Sequence, residues 1–101
     1  MKLLELNPIF LKLEGEHTVV PVSPNDLLSA DGIMVECPAC KQGGIRSHYV
    51  QVWESHTGKG IWRMMGSSFN DLTIEPEIRG ADIHACNFTM KVEEGNYVLH
   101  D

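Results

Sequence analysis

Two cysteines stand three positions apart around a proline in MVECPACKQGG, residues 34–44, and a glycine pair follows them. A Cys-x-x-Cys turn offers two thiolates from one tight loop, and zinc completes such a pair with two further ligands at tetrahedral angles. The same spacing serves a dithiol redox pair, which needs a helix N-terminus and βαβ surroundings. Gly43-Gly44 and the strand-like residues after them favour metal over redox chemistry, and a pair of plain thiols is the third reading. The remaining ligands must come from a distance. Cys86 is the third cysteine, His84 precedes it by two residues, and His48 follows Cys40 by eight; His17, His56 and His100 are less well placed.

The stretch DIHACNFTMKV alternates from Asp82 to Val92, which predicts a strand with His84, Cys86, Phe88, Met90 and Val92 on one face. On such a strand His84 and Cys86 project about 7 Å apart, within side-chain reach of one metal. Without a metal, both residues read as ordinary members of an apolar face. The predicted ligand set is Cys37, Cys40, Cys86 and His84, with His48 as the rival fourth ligand, holding one structural Zn2+.

The elements that must position these residues are short. IFLKLEGEHTVVPV pairs two apolar runs across Gly15 and predicts a hairpin. In SPNDLLSADG, Ser23 as N-cap, Pro24 at the first helical position and Gly32 as a stop predict a helix of one or two turns. Ile33 to Cys37 reads as a strand that aims Ile33, Val35 and Cys37 to one side, with the knuckle as the turn after it. HYVQVWE, IWRMM, LTIEPEI ending near Pro76, and NYVLH after a turn at Glu94-Gly95 supply further strands. The expected fold is mainly β, a small antiparallel sheet folded on itself in a sandwich-like single domain over residues 1–101, with one short helix and a zinc knuckle. With 101 residues and 43% hydrophobic content the chain builds one small core, so a metal staple would add usefully to its stability.

Charge narrows the function classes. Eight basic against 14 acidic residues give a net charge of −6, which disfavours non-specific binding to a phosphate backbone. Lys41, Arg46, Tyr49, Trp53, Lys59, Trp62 and Arg63 do gather in the middle third, as a zinc-ribbon-like nucleic-acid binder would require, but the two tryptophans also suit a cross-strand core pair. A zinc-dependent hydrolase would need an open metal position with a base such as Glu36 or Glu54 beside it, and no spacing singles one out. Glu5, Asn7, Pro8 and Lys12 interrupt the apolar residues at the start, and no stretch reaches membrane-spanning length, so a cytoplasmic protein with reduced thiols is expected. The class that remains is a protein-interaction module, and the chain is read as no enzyme.

The run PVSPNDLLSADGIMVECPAC, then SHYVQVW, IWRMMGSSFNDLT and CNFTMKVEEG, resembles a family of small, uncharacterised phage and prophage proteins with a Cys-Pro-x-Cys knuckle and a late Cys-x-x-His, over roughly residues 19–95. The knuckle matches at Cys37, Pro38 and Cys40, the histidine before the second strand at His48, and the late cysteine at Cys86, with Gly95 keeping the family's spacing. The family's last histidine falls on Thr89, a poor zinc ligand, and its Arg-Trp pair stands here as Trp62-Arg63. The resemblance implies a phage or prophage origin and a zinc site; for a phage-encoded chain the interaction class then means a host or phage protein as partner, in the host cytoplasm. It carries no activity.

Overall fold

The computed structural model describes residues 1–15, 18–24, 26–42, 48–80 and 88–100, with the backbone alone at 28, 41, 42 and 100. It is mainly β, as the alternating runs require. Strands β1 (Ile9–Leu13), β2 (Val19–Val22), β3 (Gly32–Glu36) and β4 (Tyr49–Trp53) form one antiparallel sheet in the order β2-β1-β3-β4. A second sheet, β5-β6-β7-β8, holds β5 (Arg63–Met65), β6 (Thr73–Arg79), β7 (Thr89–Glu93) and β8 (Asn96–His100). Among the described residues the one α-helix, α1 (Pro38–Gln42), follows β3.

Cross-strand rows show why the sheets close on each other. Val22, Phe10, Ile33 and Val52 are register partners across the first sheet, and Met64, Ile74, Val92 and Tyr97 across the second. Apart from the half-buried Val22, which packs against it, both rows belong to one buried cluster, which Leu3 and Leu6 of an N-terminal 3₁₀ turn also enter. Phe10 stacks on Phe69 with ring centroids 4.0 Å apart. Phe69 comes from the loop between β5 and β6, where Asp71 Oδ1 accepts the Ser67 and Ser68 N–H groups at 2.9 and 2.8 Å. Those bonds hold the Asp71 carboxyl below the usual carboxylate range and fix the loop that delivers Phe69.

On the outer face of the first sheet Leu11, Gly32 and Trp53 are buried, while Val19, Pro21, Tyr49 and Gln51 are exposed. Pro21, Leu11, Gly32 and Trp53 form the row behind the core. A Cβ on Gly32 would lie 2.5 Å from the Trp53 ring, so the missing side chain makes room for the indole. Trp53 and Trp62 therefore do not pair across one hairpin, as the sequence suggested. Trp62 belongs to the common core and donates its indole N–H to the Glu77 carbonyl at 3.4 Å.

Three local expectations change. The helix placed at Ser23–Gly32 is a turn closed by Asp26 N–H to Ser23 O, followed by a 3₁₀ turn at Leu27–Ser29 in which Asp26 makes no side-chain cap. Without that cap, and with Leu27 and Ala30 drawn into the core, one tight turn suffices. The knuckle is not a bare turn: Pro38 starts α1, where its missing N–H costs nothing. Strand β6 runs past Pro76 to Arg79, because the proline sits in an irregularity where the three residues between Ile74 and Ile78 oppose the single Lys91 between Val92 and Met90. The even offset returns Ile78 to Ile74's face, and both stay buried.

The hairpin expected across Gly15 is present, as is the turn at Glu94-Gly95, with φ of 48° and 79°. Among the described residues no helix is long and apolar enough to cross a membrane.

Candidate metal centre

Strand β3 ends at Glu36, paired with Tyr49, and the ladder runs one residue further: Cys37 N–H donates to His48 O at 2.7 Å. That bond sets Cys37 and His48 opposite each other at the mouth of the β3–β4 hairpin. Helix α1 begins immediately and, by one helical turn, returns Cys40 to Cys37's side. The two sulfurs and one His48 ring nitrogen all lie within 4.8 Å of one another. Tetrahedral zinc with bonds of about 2.3 Å to sulfur sets its thiolates roughly 3.8 Å apart, so closure by about 1 Å or less would bring this group onto one ion.

Burial differs along the group. Cys37 is fully buried and belongs to the core cluster, as its place on the Ile33–Val35 face requires, while Cys40 is partly buried and packs against the same cluster. His48 is exposed. The site thus joins the core to the protein's rim.

No family model, curated protein or solved structure matches the chain. The chemistry must be read from the residues themselves. Of the ligands named from sequence, Cys37, Cys40 and the rival His48 come together, whereas His84 and Cys86 lie outside the described residues, as does His17. His56 is engaged elsewhere, with Asp31 and Glu54.

The two carboxylates considered as hydrolytic bases have other contacts. Glu36 accepts a hydrogen bond from Asn7 Nδ2, and Glu54 stands at the opposite end of β4 from His48, beside His56. The Asp31–His56–Glu54 group had no signal in the sequence, since Asp31 and His56 are 25 positions apart and meet only through the β3–β4 pairing.

Proposed function

We propose that the protein is a small zinc-stapled interaction module, an accessory factor of phage or prophage type that binds a host or phage protein through its acidic surface. The observation that carries the metal half of this reading is the Cys37–Cys40–His48 group at the hairpin mouth. Two thiolates and an imidazole suit zinc by ligand softness and geometry, and Cys86 or His84 would supply the fourth ligand. With one sulfur fully buried, the ion would act as a staple between β3, α1 and β4 rather than as an open Lewis acid.

The interaction half rests on charge and on what the aromatic residues do. Both tryptophans are buried, which leaves neither as a platform for stacking bases, and that weighs against the nucleic-acid alternative. Glu75 and Glu77 are exposed on β6 in a groove with the exposed Ile61, where Arg63 and Lys91 also line the wall. The net charge of −6 suits a basic protein partner, and inhibition of a host defence or nucleic-acid-binding complex is one form such binding would take.

Affinity purification from expressing host cells, read by mass spectrometry, tests this reading. The expected result is a protein partner whose binding weakens as salt rises and is lost when Glu75 and Glu77 are both replaced by glutamine. A partner indifferent to both changes, or sub-micromolar affinity for random duplex DNA at physiological salt, would contradict it.

A further inference from the structure

His56 lies in the crossover from β4 to β5, within the 3₁₀ turn Ser55–Thr57, and both ring nitrogens face carboxylates. Nε2 is 2.8 Å from Asp31 Oδ1 and Nδ1 is 3.5 Å from Glu54 Oε2. A neutral imidazole has one N–H and can serve only one of them; imidazolium serves both. Asp31 is itself anchored to the first sheet. Its Oδ2 accepts the Leu13 N–H at 2.8 Å, its own N–H donates to Leu11 O at 2.7 Å, and its carbonyl accepts the Glu54 N–H at 2.9 Å.

We propose that His56 is a proton-controlled latch: as imidazolium it pins the crossover between the two sheets to Asp31 and Glu54, and on losing its proton it lets that crossover open. The latch stands apart from the metal centre and does not depend on it. Asp31 faces it from the start of β3, Glu54 from the end of β4, and Lys12 of β1 acts on Asp31. Among the described residues the rest of the cleft wall, Leu27, Ala30, Met64, Met65 and Gly66, is uncharged.

The direction of the switch follows from the contacts. The Asp31 hydrogen bond, aided by the Glu54 charge, outweighs burial and raises His56 above its ordinary 6.5. For Asp31, burial opposes the charge, but the Leu13 N–H and His56 outweigh it and hold the carboxyl below 3.8. A raised histidine contributes stability that is complete below pH 6.5 and lost as pH rises through its folded value. A lowered aspartate contributes stability present above pH 3.8 and lost as pH falls through its folded value. The latch is closed between those limits and opens on the alkaline side.

NMR titration of the His56 ring, with amide protection factors at Ser55, Thr57 and Gly58, tests it. The expected midpoint lies above 6.5 and moves down in Asp31→Asn and in Glu54→Gln. Protection at the three amides should fall through that midpoint by tenfold for each unit of elevation, and His56→Gln should show the low value at every pH. A midpoint at or below 6.5, or the same protection in wild type and His56→Gln on both sides of it, would overturn the proposal. His56→Gln leaves Asp31's backbone bonds in place, so the comparison survives if Asp31→Asn does not fold.

Discussion

Cys37→Ser protein is expected to melt on the order of 15 °C or more below the wild type, and a zinc chelator should bring the wild type down by a similar amount while leaving the variant unchanged. A ligand that binds only the folded chain stabilises it by RT ln(1 + [L]/Kd), about 4 kcal/mol at a thousandfold excess over Kd. For a domain near 100 residues, each kcal/mol moves the melting temperature by about 4–8 °C. Cys37 is the most sensitive position because it is both a proposed ligand and a fully buried core residue, so serine would also bury a hydroxyl there. Calorimetry with and without chelator reads the effect, and Lys59→Ala, at an exposed turn, is the silent control. A wild type whose melting ignores the chelator would contradict the staple.

Phe10→Ala is expected to cost about 3–5 kcal/mol, the range for removing a large aromatic from a packed core. Phe10 is fully buried, lies on the central β1 strand, and meets Phe69 from the other half of the chain, so the change empties the space where the two sheets join. Urea denaturation followed by tryptophan fluorescence should show one transition at a lower midpoint, with Trp53 of the first sheet and Trp62 at the start of the second released together. A loss below about 1 kcal/mol, or two separate transitions, would mean that the sheets do not share a core in the way the stacked rings indicate.

Much of this fold was legible because strands leave a period of two in the sequence. Val50 and Val52 face the core as their alternation requires, and Glu94-Gly95 reads as a hairpin turn because its backbone needs positive φ. Cys37 was legible as a core-facing residue for the same reason. What the period cannot carry is register, and register decides that Trp53 lies over Gly32 rather than against Trp62. Local propensity misled at Ser23-Pro24, where helix-start residues make a single turn, and at Pro76, where an irregular pairing removes the usual objection to proline in a strand.

The site was half legible. The Cys-x-x-Cys spacing announces its own two ligands, but a histidine eight residues on becomes a neighbour only because β4 returns antiparallel to β3 and closes the Cys37–His48 bond. The preference for His84 rests on local geometry along one strand, and residues 81–87 lie outside the described residues. The latch at His56 depends on two backbone segments meeting at a sheet corner, which no local pattern encodes.

Zinc K-edge X-ray absorption on protein purified under reducing, chelator-free conditions tests the central claim most directly. The account predicts about one zinc per chain, with sulfur neighbours at about 2.3 Å, nitrogen at about 2.0–2.1 Å and imidazole scattering that His48→Ala lowers. A folded protein without zinc, or a zinc surrounded only by oxygen and nitrogen, would contradict it.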